Sequence, residues 1–505
     1  MVPLAIGQLA TDTCRITYDF GTHRFDIVRS IMRFLKLSFT TTGSALFGLD
    51  VLLIGSIWPA SLWIGGPASA SFSASQFDIR VFGYPIAVLL VMYAMGLYRR
   101  DAILNQRKTA TRIPLVVGMG GVLAILASLI AGLLGPKSFG WYGGRDQAML
   151  FGLATVSLTF AALGARVIFA ILLHMQVLHR RLLVVGAGQR AYDLLRMLTK
   201  EGSNLHYDIT FLQEPPMGDI DPRLAAEPGV RILMQADCSM LEAARAIRAD
   251  EIVVAPDDRR GMDLQRLLDC KKSGFPVVQY LSFIEAEIRR IDIKRLELGW
   301  LVFSEGFTFS ASDRFLKRGF DLLVSSLVLI LTAPLLLAGV IAIRWEGPGP
   351  VFYRQERMTQ NNRVFWIMKL RTMRVDAEAG GAVWAATKDN RITKVGNFLR
   401  RARIDELPQL VNILKGEMSF VGPRPERPVF VAALAAQIPL YNERHMVKAG
   451  LTGWAQVNYP YGASVEDARS KLSYDLYYVK NFSILFDLVI LLQTLREVLW
   501  PSGVR

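Results

Sequence analysis

Four apolar runs open the chain, at about 45–64, 82–98, 115–134 and 149–173. Each is close to the ~20 residues a helix needs to span a bilayer. Four such runs close together exceed what buried helices of a soluble core explain. The second is the shortest and has Pro85 near its start. Polar segments between the runs set an orientation. The first segment carries Arg15, Arg24, Arg29, Arg33 and Lys36, with no signal-peptide pattern. The second connection carries Arg99, Arg100, Arg107, Lys108 and Arg112, and Arg180-Arg181 follow the fourth run, while the other two connections hold few basic residues. The bias of Lys and Arg toward the cytoplasmic side then places both ends of the bundle there. The pattern predicts a basic arm over 1–36 and a four-helix transmembrane bundle over 37–178.

Beyond residue 180 the rhythm changes. Leu182-Leu183-Val184-Val185 is a short apolar run ending in Gly186-Ala187-Gly188-Gln189-Arg190-Ala191, after which Leu194, Leu195 and Leu198 recur at helical spacing. A strand, a glycine turn and a helix open a Rossmann-like unit, in which glycines let a ligand's phosphate approach a helix N-terminus. Two further strands are expected at 251–255 and 276–280, giving an α/β domain over 179–300. The nucleotide reading rests on Gly186, Gly188 and Ala191 alone. The acid expected after a second strand is ambiguous, because Glu214 comes late and is followed by Pro215-Pro216. Tight helix–strand packing explains the glycines equally well.

A linker is expected over 301–315, then another apolar run at 322–343, interrupted by Pro334. Lys317 and Arg318 precede this run, and Arg344, Arg354 and Arg357 follow it. Basic residues on both flanks favour the same side of the membrane, and a central proline bends a helix. We therefore expect a re-entrant helix over about 320–344, with its bend at Pro334. The tail at 482–500 is apolar but holds Asp487 and Arg496, which suits an interfacial amphipathic helix.

Composition fits this layout. Of 505 residues, 52% are hydrophobic, more than an ordinary soluble domain carries. Lys and Arg number 58 against 44 Asp and Glu, an excess that suits lipid headgroups and phosphates. Cys14, Cys238 and Cys270 form neither a metal spacing nor a disulfide framework, and the five histidines show no ligand spacing, so His445 reads as structural.

Candidate chemistry concentrates in Arg400-Arg401-Ala402-Arg403-Ile404-Asp405-Glu406-Leu407-Pro408-Gln409-Leu410. Carboxylates attack phosphorus or hold a metal, and arginines grip phosphate in a fork. A charged helix face alone would look similar. Two neighbouring stretches decide for a site. Lys369 and Arg371 follow a strand-like run over Val364–Met368, and since alternate residues of a strand share a face, both are directed to one pocket. In Gly422-Pro423-Arg424-Pro425-Glu426, two prolines restrain the arginine between them. Asp405 and Glu406, if helical, diverge by about 100° and take separate jobs.

These motifs resemble those of the bacterial sugar transferases, the polyprenyl-phosphate hexose-1-phosphate transferases. The resemblance runs from about Lys317 to the C-terminus. It rests on Lys317-Arg318-Gly319-Phe320-Asp321, Lys369-Leu370-Arg371-Thr372-Met373, Asp405–Leu410, Val421–Pro425 and Gly450-Leu451-Thr452-Gly453-Trp454-Ala455-Gln456-Val457. One departure stands out: Asn361-Asn362 occupies a turn where glycine is usual, and Asn tolerates the same positive φ.

The resemblance implies an α-rich, membrane-associated catalytic domain over 316–505. It implies transfer of hexose-1-phosphate from a UDP-sugar, glucose or galactose, to undecaprenyl phosphate with release of UMP. It further implies Asp405 as the nucleophile that becomes a phosphoryl-aspartate, and Mg²⁺ held by Asp405 and Glu406. Lys369, Arg371, Arg400 and Arg424 become phosphate ligands, while Asp475 matches without a role. The expected setting is the bacterial inner membrane, with the catalytic domain facing the cytoplasm and initiating exopolysaccharide, O-antigen or capsule assembly. Expected partners are the two substrates, membrane lipid and a second copy of the chain in a dimer, with no nucleic acid. Two alternatives compete. A nicotinamide-dependent nucleotide-sugar epimerase or dehydratase would need a Tyr-x-x-x-Lys pair, which 180–300 lacks. A transporter would carry ionisable residues in its spans, where only Asp50 and Arg166 lie.

Overall fold

The computed structural model describes residues 41–65, 79–98, 102, 109–134, 145–175, 180–200, 207–213, 218–234, 239–260, 262–296, 298–304, 306–375, 377, 390–459, 462 and 464–499. The expected basic arm, Glu214, Cys14 and Cys238 lie outside these residues. Each of the four opening apolar runs is helical: α1 (Thr41–Gly65), α2 (Ile79–Ala94), α3 (Ile113–Leu134) and α4 (Arg145–His174). They share one core that includes Leu46, Ile54, Tyr84, Val88, Met92, Val116, Val117 and Leu158. Leu52, Ile86, Val122, Phe160 and Val167 point outward, so the helices are apolar on both sides. By length and composition, Gly152–His174 of α4 is long and apolar enough to cross a membrane. The stretches 45–57, 83–93 and 113–125 are shorter apolar segments. Two ionisable residues inside the apolar runs find each other: Arg166 Nη1 donates to both Asp50 carboxylate oxygens at 2.7 and 2.8 Å, joining α4 to α1.

The next region is a parallel sheet of β1 (Arg180–Val185), β2 (Tyr207–Gln213), β3 (Arg231–Met234), β4 (Glu251–Val254) and β5 (Val277–Gln279), in the order β3-β2-β1-β4-β5. That is how a doubly wound sheet begins. Alternation along β1 divides the core. Leu182 and Val184 face Leu194 and Leu198 of α5 (Gln189–Lys200) and Phe283 of α8 (Tyr280–Ile288). Leu183 and Val185 face Ala243 of α6 (Met240–Ala246) and Leu267 of α7 (Leu264–Lys272). Between α5 and α8 no sequence signal had marked β2 or β3.

The segment read as a linker at 301–315 holds a short helix, Leu298–Phe303, and the start of the long helix α9 (Ala311–Glu346). Ser310 and Asp313 form a capping box, which fixes the start of α9 ahead of the apolar run. The α/β region also packs against the segment that follows it. Ile291 and Ile293 are buried with Val431, Leu434, Ile438, Leu472 and Leu476 in one core.

α9 is also long and apolar enough to cross a membrane, and it is helical through Pro334. Leu323, Ile330, Leu331, Leu335 and Leu337 are exposed along it. Its two ends pack on one folded unit, made of β6 (Phe352–Met358), β7 (Val364–Leu370), α10 (Lys394–Arg401), α11 (Gln409–Lys415), β8 (Ser419–Val421), α12 (Pro428–Ala435), β9 (Gly450–Thr452), α13 (Trp454–Asn458), α14 (Val465–Lys480) and α15 (Ile484–Leu499). At the first end, Lys317 Nζ donates to Asp487 of α15 at 2.6 Å and lies 3.3 Å from Asp321. Asp321 accepts from the Phe420 backbone and the Ser419 hydroxyl, both at 3.0 Å. Arg318 caps α11 by donating to the carbonyls of Ile413 and Leu414, both at 2.7 Å. At the second end, Ile343 shares a core with Leu370, Leu399 and Ile404. In α15, Phe486, Asp487 and Ile490 are buried, while Leu485, Leu488 and Leu495 form an exposed apolar stripe.

Removing one member of a buried ion network leaves the rest uncompensated, at a cost of about 3–5 kcal/mol. Lys317→Met should therefore strongly lower the thermal midpoint of the detergent-solubilised protein. An unchanged midpoint would show that Asp321 and Asp487 do not depend on the lysine.

Candidate active site

The β6–β7 hairpin turns through Asn361 and Asn362, with φ of +56° and +55°. Asn thus takes the left-handed conformation in place of glycine, as expected. The Asn362 side chain meets His445 Nδ1 at 2.6 Å. Burial, with Arg444 adding to it, pushes that imidazole down to about 3, so it stays neutral and structural. Along β7, Phe365 and Ile367 point inward, and Lys369 follows on the same face. The alternation stops with the strand at Leu370. Arg371 therefore does not share the Lys369 pocket; it donates to the carbonyls of Pro348 at 2.8 Å and Gly347 at 3.1 Å, beyond the end of α9.

Asp405 and Glu406 sit on a single 3₁₀ turn, Ile404–Glu406, entered through Arg403 at a φ of +54°. A 3₁₀ turn separates neighbours by about 120°, wider than the α-helical angle expected. The two carboxyls face different surroundings. Glu406 Oε1 lies 3.3 Å from Lys369 Nζ and 3.5 Å from Arg424 Nη2, and its Oε2 lies 3.5 Å from Arg403. Burial would raise its carboxyl, but Lys369, Arg424 and Arg403 outweigh it and hold it down at about 2. Asp405 is only 8% exposed and makes no hydrogen bond or ion pair among the described residues. Burial pushes it up to about 6 and the Glu406 charge adds to the rise, while Lys369, Arg400 and Arg424 oppose it. Arg400 acts on Asp405 through charge alone, since its Nε donates to Thr372 at 2.8 Å.

Arg424 is held from both sides. Arg444 donates to its carbonyl at 3.0 Å, and Arg357 donates to the carbonyl of Pro425 at 3.1 Å. Arg444 is in turn buried against Asp475 at 2.8 Å. That gives Asp475 a place in the site's support, and it adds Arg444, which no motif had singled out. Ile367, Lys369, Glu406, Gln409, Arg424 and Leu451 line a small recess. Asp405 adjoins it through Glu406 but does not line it. The expected set is thus gathered around Lys369, Glu406 and Arg424, with Asp405 beside them, Arg400 one contact away and Arg371 elsewhere.

Among the described residues no group of three His, Cys, Asp or Glu side chains could hold a metal alone. Mg²⁺ binds through one or two carboxylates with substrate phosphates and water. The unpaired Asp405 carboxyl beside Glu406 fits that donor set.

The glycine loop of the α/β region is already filled. Gly186, at φ +104°, packs against Ala255 and Pro256. The Asp257 carboxylate accepts from the backbone of Gln189 at 2.6 Å and Arg190 at 2.9 Å. These are the helix N-terminal amides that a phosphate would use, so an anion beside Gly188 would have to displace Asp257. Ala191 is buried in the sheet–helix core.

The sequence profile of the bacterial sugar transferase family matches residues 312–501. A UDP-glucose:undecaprenyl-phosphate glucose-1-phosphate transferase of Caulobacter vibrioides is 42% identical over 185 residues, 36% of this chain and 69% of that protein. The chain belongs to the bacterial sugar transferase family. Other members include the UDP-N-acetylgalactosamine-undecaprenyl-phosphate N-acetylgalactosaminephosphotransferase of Aeromonas hydrophila. It is 40% identical over 265 residues, 52% of this chain and 61% of that protein. That match is too long to fit after residue 312, so it reaches upstream into the α/β region. The UDP-glucose:undecaprenyl-phosphate glucose-1-phosphate transferase of Escherichia coli K12 is 39% identical over 187 residues, 37% of this chain and 40% of that protein. The chain therefore spans less than two thirds of the Aeromonas and Escherichia proteins.

The two family carboxyls should leave opposite marks on stability. Asp405 rises from 3.8 to about 6, so its contribution is fully present below 3.8 and is lost as pH climbs through 6. Glu406 falls from 4.5 to about 2, so its contribution is present above 4.5 and is lost as pH drops through 2. Asp405→Asn should thus remove a destabilisation of about 2–3 kcal/mol at neutral pH. Thermal midpoints at pH 4 and 7.5 would show it: the variant should gain on the wild type at the higher pH. A loss there would contradict the buried, unpaired carboxyl.

Proposed function

We propose that this chain transfers hexose-1-phosphate from a UDP-sugar to undecaprenyl phosphate, the first step of building a polysaccharide repeat on a lipid carrier. The observation that carries the reading is the pairing of Asp405 and Glu406 under opposite electrostatic control, among cations of a folded unit that packs on the long apolar helix α9. Glu406, ionised and flanked by Lys369, Arg403 and Arg424, keeps those cations at the place where a diphosphate must sit. Asp405, raised to about 6, is ionised at neutral pH and poorly stabilised, which suits a nucleophile.

In the first step an Asp405 carboxylate oxygen attacks the sugar-bearing phosphorus. The bond from that phosphorus to the bridging oxygen breaks, and UMP leaves with the bond's electron pair. In the second step an oxygen of undecaprenyl phosphate attacks the same phosphorus and expels the carboxylate. The product is undecaprenyl-diphospho-sugar. Lys369 and Arg424 neutralise charge on the transferring group, with Arg400 acting from one contact further out. Mg²⁺ at Asp405 and Glu406 would supply further neutralisation of the diphosphate. Splitting the reaction in two separates a water-soluble donor from a greasy acceptor. The relatives' names point to glucose or N-acetylgalactosamine as the sugar, beside the galactose considered from sequence.

The same reading places the chain in the bacterial inner membrane, with α1–α4 as spans and the site on the cytoplasmic side. Support comes from α9, whose two ends rest on one folded unit, so a straight crossing would divide that unit between two compartments. Pro334 lacks the N–H that would bond the Ile330 carbonyl, which supports a bend there. The Asp50–Arg166 pair neutralises its charge inside the bundle, which argues against a transport path. The occupation of the glycine loop by Asp257 argues against nicotinamide chemistry.

Turnover tests the chemistry. Wild-type protein mixed with undecaprenyl phosphate and a panel of UDP-sugars should release UMP with one or a few of them. Asp405→Asn should abolish that release, by several orders of magnitude, while the protein stays folded. Near-normal release by the variant would exclude the phosphoryl-aspartate route.

Membrane geometry is open to labelling. With Cys14, Cys238 and Cys270 replaced, Ser312→Cys and Trp345→Cys mark the two ends of α9. An impermeant thiol reagent should label both in inverted vesicles and neither in intact cells. Labelling at 345 but not 312 from outside intact cells would make α9 a true span.

A further inference from the structure

Gln409 opens α11 and is 3% exposed. Its Nε2 is buried with no hydrogen-bond partner, and neither end of its carboxamide bonds to any described residue. A buried polar group without a partner disfavours the fold, and in a native site it calls for an explanation. The local structure is able to satisfy an amide. Asn412, one turn further along the same helix, donates to the Trp366 carbonyl at 2.8 Å and the Glu417 carboxylate at 2.6 Å, and accepts from the Met368 backbone at 3.1 Å.

The position of Gln409 supplies the explanation. It lines the recess together with Lys369, Glu406 and Arg424. Lys369 and Arg424 are both engaged with Glu406. Gln409 is therefore the one polar side chain lining the recess, among the described residues, that has no protein partner. It is also neutral, so it adds a donor without weakening the hold of the cations on Glu406. Pro408 precedes it, and α11 is anchored at its other end by Arg318, so the amide is presented from a fixed backbone.

We propose that Gln409 is a substrate-binding residue that donates from Nε2 to a non-bridging oxygen of the donor's diphosphate, alongside Lys369 and Arg424. This rests on the transferase reading above. The unpaired amide is a pre-organised socket: its hydrogen bond is completed only when the anion enters, so the cost of leaving it bare is recovered on binding.

The test is Gln409→Met, which keeps length and removes both polar ends. In the ligand-free full-length protein its thermal midpoint should equal or exceed that of the wild type, since no protein hydrogen bond is lost. The KM for the active UDP-sugar should rise about tenfold or more, and the thermal stabilisation given by UDP should shrink. Gln409→Glu, of equal shape but anionic, should weaken UDP protection further. A lower midpoint with unchanged KM would make Gln409 a structural residue. Unchanged midpoint and unchanged KM would remove it from the site altogether. In either case UMP release by the wild type leaves the transferase reading standing. A wild type that releases UMP from no UDP-sugar overturns that reading and this inference with it.

Discussion

The catalytic unit depends on how one lysine is buried. Lys317 begins its task at the foot of α9, where it meets Asp321 on its own helix and Asp487 on α15. It also donates to the Val421 carbonyl at 3.2 Å, which receives the Tyr478 hydroxyl at 3.0 Å and the Ser419 hydroxyl at 2.9 Å. Val421 is the last residue of β8 before the Pro423-Arg424-Pro425 loop. A single buried cation thus ties the apolar helix, the last helix and the loop that carries Arg424. An ammonium group has three donors, and here it finds enough acceptors to tolerate burial. The long apolar helix and the loop that carries Arg424 are consequently one mechanical unit.

On that base the site separates two adjacent carboxyls. In water Asp and Glu titrate close together. Here the wide angle of the 3₁₀ turn sends Glu406 toward three cations and leaves Asp405 buried, without a hydrogen bond among the described residues and beside its neighbour's negative charge. The charge on Glu406 adds to burial in raising the Asp405 carboxyl, while Lys369, Arg400 and Arg424 pull it back. Arg424 keeps its position because its own carbonyl and the next are gripped by Arg444 and Arg357, with Asp475 behind Arg444. Close backbone approach completes the wall: at Gly450 any side chain would collide with the backbone of Gly422, so β8 and β9 can lie this near only with glycine there.

The α/β region is joined to this unit at several points. Glu285 accepts from Lys480 at 2.6 Å and Asn481 at 3.1 Å, and the Trp454 indole donates to the Arg289 carbonyl at 3.0 Å. Arg289 takes a φ of +60°, which turns the chain from α8 into the shared core of Ile291 and Ile293. Trp454 follows β9 by two residues, and β9 contributes Gly450 and Leu451 to the recess. The α/β region therefore buttresses the wall of the site, and its glycine loop closes on Asp257.

Much of this was legible in the chain itself. Long apolar runs specify helices because burial or lipid must cover them whatever their neighbours do, and α1–α4 and α9 lie where the runs lie. The β1 run and its glycine turn, the Asn361-Asn362 turn and the Pro-Arg-Pro clamp follow from backbone preferences that are local. The adjacent carboxyls and their basic company were visible as a motif. Other features needed the fold. β2 and β3 are short and are recognisable only by pairing with β1. Arg371 left the pocket because β7 ends one residue earlier, which periodicity does not reveal. The partners Lys317–Asp487, Arg444–Asp475 and Gln189–Asp257 are separated by tens of residues to well over a hundred, and nothing local couples them. The sequence by itself determined where the candidate carboxyls and cations cluster and which segments must be covered. Only the tertiary structure decided which carboxyl is free, which cation is engaged and which amide is left bare, because those properties belong to distances between elements and not to any element alone.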